Sequence, residues 1–223
     1  MSPTNFDNAD LLDDSTRPDA SPAPDAEVLA LAKDAQDLLF RAARTANAFT
    51  DEPVSDEQFR AIYDLVKWAP TSMNNQPLRM VLVRTPDARG RLVEHMGGGN
   101  KAKTSTAPLV AILAADVDFH DELPKVFPHF PGARDLFSAD ESGREQNARL
   151  NALLQTAYVI IGIRAAGLAA GPMTGFDAAG VDAEFFPDGR HRTLVVINIG
   201  HPAENAWMDR LPRLDYDEVV SVA

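Results

Sequence analysis

The fold turns on one stretch, Gly143 to Ala166, which reads GREQNARLNALLQTAYVIIGIRAA. From Leu150 onward, apolar residues cover most of its helical circumference. A helix apolar on nearly all sides sits at the centre of a fold, not on its surface. The most apolar part, Ala157 to Met173, is short and contains Arg164, so it reads as a buried helix and not as a membrane span.

Working outward, the N-terminal side predicts two helices. One begins near Ala26, capped by Asp25, and places Val28, Leu29, Leu31, Ala35, Leu38 and Leu39 at helical spacing up to about Ala43. The other opens on Ser55-Asp56-Glu57-Gln58, which has capping-box form. Its apolar side is read as Phe59, Ile62, Leu65, Val66 and Trp68, and Pro70 ends it. Met80 to Val83, Leu109 to Ala114 and Leu194 to Ile199 are strand-like. Asp87 to Met96 reads as a helix stopped by Gly97-Gly98-Gly99. Residues 116–141, rich in Pro, Phe and acids, read as a flap with one or two helical turns, and Asp217 to Val222 as a terminal helix or strand. Helices first, then strands spaced by helices, predict an α+β sandwich. No Gly-x-Gly-x-x-Gly follows a strand, which argues against a doubly wound dinucleotide fold.

The 223 residues suit one domain, expected over 25–223. Residues 1–24 offer little to bury and are expected to be a disordered acidic tail. Seven acids against Arg17 in residues 1–27 supply half of the net charge of -12. Such acidity argues against nucleic acid and against an anionic membrane surface as partners. The chain has no cysteine, which excludes disulfides, thiolate metal sites and a cysteine nucleophile. Asp116, Asp118, His120, Asp121 and Glu122 lack consistent ligand spacing and read as a solvated turn, so no metal is expected. No basic, apolar leader is visible, and a cytoplasmic location is the expectation.

Four stretches carry chemistry. In Ala69-Pro70-Thr71-Ser72-Met73-Asn74-Asn75-Gln76-Pro77, amide side chains that both donate and accept stand beside exposed backbone. That mixture suits a planar heterocycle with alternating C=O and N–H groups, although the residues alone equally fit an Asn-rich turn. Arg44, Thr45 and Asn47 offer a charged fork, a hydroxyl and an amide, suited to a phosphate or to a ring edge that becomes negative on reduction. Arg41 and Arg44 also simply suit a helix C-terminus. Gly171-Pro172-Met173-Thr174-Gly175-Phe176-Asp177 reads as a loop whose glycines let backbone approach a ligand. Arg210-Leu211-Pro212-Arg213-Leu214 offers two cations for a phosphate, or a basic surface turn.

Taken together, these motifs, with Asn198-Ile199-Gly200, resemble the FMN-dependent nitroreductase superfamily from about Leu38 to Val220. Within it, Gly-Pro-Met-x-Gly-Phe-Asp is most similar to the malonic semialdehyde reductase (RutE-like) branch. The resemblance implies a central mixed or antiparallel sheet packed with helices, including the long central one, in a homodimer with FMN at the subunit interface. It implies that Arg44, Thr45 and Asn47 hold the ribityl-phosphate and pyrimidine side of the flavin. Pro70, Thr71, Ser72 and Asn74 would face the ring, with Asn74 as its direct contact. Pro172, Met173, Thr174 and Gly175 would bring backbone near N5, and Arg213, with Arg210, would bind the phosphate.

The implied activity is ping-pong reduction of a small-molecule electron acceptor by NADH or NADPH, with no protein side chain acting as acid or base in the hydride step. The acceptor would be a nitro compound, a quinone or a 3-oxo acid semialdehyde such as malonic semialdehyde. A non-catalytic flavin-binding dimer, or a flavin-fragmenting or dehalogenating member, are the alternatives. Two positions depart from the pattern. Asn47 stands where many members carry a second basic residue, leaving the charge beside flavin N1 largely to Arg44. Asn75-Gln76-Pro77 is nearer the general nitroreductase pattern than the RutE-like one.

Overall fold

The computed structural model describes residues 29–223. The expected acidic tail and the cap at Asp25 lie outside these residues. At the start of the described chain, helix α1 (Lys33–Gln36) runs directly into a π-helical turn, Asp37–Arg41. The expected continuous helix is therefore shortened, because residues 29–32 are not helical, and Leu38 and Phe40 face solvent.

Helix α2 (Asp56–Val66) starts on the capping box read from the sequence. The Ser55 hydroxyl accepts from the Gln58 backbone N–H at 3.1 Å, and Gln58 Oε1 accepts from Ser55 N–H at 2.8 Å. Its buried row is Phe59, Ile62 and Val66. Leu65 and Trp68, expected on that row, are instead exposed at 59% and 79%. The helix has already ended at Val66, and Trp68 follows in the turn before Pro70.

Four strands form one antiparallel sheet: β1 (Leu78–Val83), β2 (Leu109–Asp116), β3 (Ala169–Met173) and β4 (His191–Gly200), in the order β1-β2-β4-β3. Alternate residues of a strand face opposite sides. Leu109, Ala111 and Leu113 thus pack with Ile197 and Ile199 against α2 and the long helix α7 (Glu141–Ala165), while Val110, Ile112 and Ala114 pack on the other side. There they meet α3 (Pro86–His95) and α8 (Ala178–Phe185) through Leu92 and Val181. Helices on both faces explain why β2 is an unbroken apolar run although the sheet is antiparallel.

Helix α3 stops at His95, just before Gly97-Gly98-Gly99, as the sequence predicts, and Gly97 then caps a further helix that the sequence reading did not include, α4 (Gly98–Thr106). One expectation is corrected here. Gly171-Pro172-Met173 is not a loop but part of β3, an edge strand, which is where a proline that donates no ladder bond is tolerated. The flap contains α5 (Leu123–Val126) and α6 (Ala133–Ser138), and the chain closes with α9 (Tyr216–Val219).

The acidic run at 116–122 is also not a solvated turn. Asp116 is 1% exposed and is clasped by Arg79 at 2.8 Å and Arg190 at 2.7 Å; Arg144 reaches Asp118 at 3.1 Å, and Arg134 reaches Asp121 at 3.0 Å. A buried carboxylate requires such partners to offset its lost hydration. Arg134 holds the Asp121 carboxyl below its usual range, while burial pushes the His120 imidazole down.

Candidate functional site

The segment Arg44–Asn47 runs beside β3. Ala46 N–H donates to Ala170 O at 3.0 Å, and Asn47 N–H to Ala206 O at 2.9 Å. Gly171 makes this approach possible, since a β-carbon there would stand 2.5 Å from Ala46 O. Arg44, exposed, donates to Met208 O at 3.2 Å and lies 5.4 Å from the Trp207 ring centre. Thr45 is exposed next to it, and its carbonyl accepts from Asn47 Nδ2 at 3.4 Å.

Helix α4 meets this segment from the other side. Lys103 Nζ donates to Asn47 Oδ1 at 3.3 Å. Asn100 Nδ2 donates to Gly175 O at 2.9 Å, as does Gly97 N–H at 2.9 Å. The Gly175 carbonyl is thus held by two donors, and Thr174 and Gly175 stay exposed at the end of β3. Beneath them, Thr104 Oγ1 contacts Met173 Sδ at 3.8 Å, and Asn198 Nδ2 lies 3.5 Å from Thr104 Oγ1. Asn198 is fully buried in β4, and its Oδ1 has no partner among the described residues. This half of the site therefore gathers Arg44, Thr45, Asn47, Met173, Thr174 and Gly175. It adds Asn100 and Lys103, which lie on α4, a helix the sequence reading did not include. The three-residue spacing of Asn100 and Lys103, which puts them on one helix face, was the available signal.

Pro172, in the middle of β3, is half-buried. Arg210 donates to Ala43 O at 3.2 Å and to Arg41 O, so it ties the C-terminal segment to the turn before Arg44. Arg213 bonds only the nearby carbonyls of Leu211 and Pro212 among the described residues.

Pro70, Thr71, Ser72 and Asn74 lie elsewhere. Ser72 N–H donates to Asn151 Oδ1 at 2.8 Å, and Asn74 Nδ2 to Val126 O at 2.8 Å. Arg44, in contrast, lines a cavity with Arg164 and Gly167 at the far end of α7. Asn151 and Arg164 are thirteen residues apart on that helix, or about 20 Å. The Pro70–Asn74 loop, seated at the middle of α7, and the Arg44 segment, near its C-terminal end, are therefore apart on one chain. α7 also presents Leu150, Leu153, Leu154 and Tyr158 to solvent, exposed by 61%, 47%, 47% and 42%, in one row at helical spacing. Beyond Trp207 the chain is exposed throughout, with Met208, Leu211, Leu214 and Tyr216 uncovered. Among the described residues, no helix is long and apolar enough to cross a membrane.

An antiparallel sheet covered by helices on both faces, with a long central helix, defines an α+β protein of the nitroreductase fold. The chain belongs to the Nitroreductase family, whose model matches residues 40–201. It is 64% identical over 187 residues, covering 84% of this chain and 95% of the other, to a Streptomyces griseus protein named provisionally as an NADH dehydrogenase/NAD(P)H nitroreductase. A Leptothrix cholodnii protein of the same name is 47% identical over 184 residues, covering 82% of this chain and 93% of the other. Among solved structures, a nitroreductase-family protein from Streptococcus pneumoniae superposes with a TM-score of 0.73 at 22% identity, covering 83% of this chain and 98% of that one. An Exiguobacterium sibiricum protein named provisionally as a nitroreductase, solved in complex with FMN, gives a TM-score of 0.73 at 18% identity, covering 86% of this chain and 98% of that one.

Proposed function

We propose that this protein is a cytoplasmic, homodimeric NAD(P)H oxidoreductase that holds FMN between its subunits and reduces a small electrophile. The single observation that carries the reading is that the Pro70–Asn74 loop meets α7 at Asn151 while Arg44 lies near Arg164, about 20 Å further along the same helix of the same chain. A second copy packed along the exposed row of α7 brings the Pro70–Asn74 loop of one chain toward the Arg44 half of the other. FMN-bound and NAD(P)H-named relatives support the cofactor and the reductant.

The donor set fits this cofactor. Arg44 and Lys103 supply positive charge beside Asn47, and the Asn47 and Asn100 amides supply the mixed donors and acceptors a pyrimidine edge requires. FMN held there would supply hydride transfer between NADH or NADPH and the acceptor. The chain's own contribution is orientation and field. Asn100 and Gly97 hold the Gly175 carbonyl, which fixes the exposed peptide groups at Thr174–Gly175 for approach to the reacting ring edge. Lys103 replaces the second basic residue missing at position 47. Arg44, with Arg210 and Arg213 on the C-terminal arm, serves the phosphate. The acceptor class is a nitro compound, a quinone or a 3-oxo acid semialdehyde, malonic semialdehyde included.

Purified protein tests this directly. It is expected to be yellow or to take up FMN with a gain in thermal stability, to bleach with NADH or NADPH, and to recolour with one of those acceptors. A colourless protein that gains no stability from added FMN overturns the reading.

A further inference from the structure

The side of α7 that meets the Asn-rich loop carries three amides four residues apart, Asn147, Asn151 and Gln155. That spacing places them in one row along the helix. Asn147 Oδ1 accepts from Asn75 Nδ2 at 2.7 Å and from Asn151 Nδ2 at 3.0 Å. Asn151 Oδ1 accepts from Ser72 N–H at 2.8 Å, and Gln155 Oε1 from Leu78 N–H at 2.9 Å. Asn75 and Asn151 are 1% and 3% exposed. Asn151, at the centre of the row, is buried and Asn147 and Gln155 are half-buried, and the chain from Ser72 to Leu78 is seated on the three amides.

The segment it seats is strained. Met73, Asn74 and Gln76 have φ of 52°, 51° and 40°, so three non-glycine residues within four positions occupy the left-handed region. Such backbone persists only where its surroundings over-determine it. Asn151 and Gln155 each satisfy a backbone N–H, of Ser72 and Leu78, that a leucine in their place would leave without its acceptor. Amides on the helix and strain in the loop together indicate that shape is being held for use.

We infer that Asn151, with Asn147, is a positioning residue: it locks the left-handed turn so that Pro70–Asn74 is presented outward to the flavin held by a second copy. Asn151 touches neither cofactor nor acceptor. The inference rests on the FMN-binding reading above.

Three variants test it in the full-length protein: Asn151→Leu, Asn147→Ser and Gln155→Leu. FMN titration, visible circular dichroism of the bound flavin and melting temperature are recorded for each. Asn151→Leu removes the acceptor for Ser72 N–H, and FMN binding should weaken roughly tenfold to a hundredfold with a changed flavin dichroism. Gln155→Leu removes a bond to β1 outside the turn, so it should lower the melting temperature while the flavin dichroism stays that of the wild type. Asn147→Ser, the milder change, is read the same way if Asn151→Leu does not fold. Wild-type FMN affinity and dichroism in the Asn151 or Asn147 variant overturns the inference, as does an equal loss in Gln155→Leu. A wild-type protein that binds no FMN overturns the functional reading itself, a distinguishable result.

Discussion

Lys103 Nζ lies 3.3 Å from Asn47 Oδ1, joining a helix that starts on three glycines to the strand-like segment that carries Arg44. This contact puts a cation beside Asn47, where position 47 itself supplies only an amide. A cation there favours the reduced, more negative cofactor over the oxidised one. Lys103→Met should therefore weaken FMN binding and lower the flavin midpoint potential by about 30 mV, the equivalent of about 1.4 kcal/mol for a two-electron couple. Spectroelectrochemistry of the bound flavin reads this, and an unchanged potential would remove Lys103 from the site.

Arg44 is held by Met208 O and the Trp207 ring, so it is already oriented before any ligand arrives. Arg44→Ala should cost about 1.5–3 kcal/mol of FMN affinity, the worth of a hydrogen bond to a charged group. Titration with FMN by fluorescence quenching checks it, and retention equal to wild type would exclude Arg44.

The uncovered row on α7 predicts the oligomer. Leu154→Glu places a charge among Leu150, Leu153 and Tyr158, all of which are exposed in the single chain. The expected outcome is a monomer by sedimentation that has also lost FMN, because each chain then keeps only half a site. A monomer that still binds FMN as tightly as the wild type would contradict the shared site.

Gly171 is set by close approach. Gly171→Ala brings a methyl to 2.5 Å from Ala46 O, and the neighbour is backbone, which cannot swing aside. The variant should lose about 1–3 kcal/mol of stability, the usual cost of overpacking. Thermal or urea denaturation measures the loss.

Acid stability carries the signature of His120. Burial holds its imidazole below the ordinary histidine range, and its Nδ1 has no partner among the described residues. Lowering a base's folded pKa means that the unfolded chain binds the proton more tightly. Stability should then be intact above about pH 6.5 and fall as pH drops toward the depressed folded value. His120→Leu should flatten the melting temperature between pH 7 and 5. An identical pH profile in the variant would assign the slope to other groups.

Much of this architecture was legible from local chemistry. The capping box at Ser55, the unbroken apolar strand at Leu109 and the long helix ending near Ala165 follow from periodicity and from side chain-to-backbone bonds within a few residues. Errors fell where context overrides local preference. Gly97-Gly98-Gly99 does stop α3, but it also starts α4, and Gly97 is needed because a β-carbon there would meet Gly175 O at 2.8 Å. Leu65, Leu150 and Leu154 read as core because hydrophobicity alone does not say what covers a residue.

The sequence by itself determined the family's polar motifs, the α+β order of elements and the two amide-rich stretches, since each depends on residue type and short spacing. Only the tertiary structure decided how they are shared out. Asn47 and Asn74, grouped by chemistry, bond to different elements, Lys103 of α4 and Val126 of α5, and Asn47 and Lys103 meet across 56 positions. Which side chains converge is set by the packing of helices onto the sheet, and that distance information is absent from any local pattern.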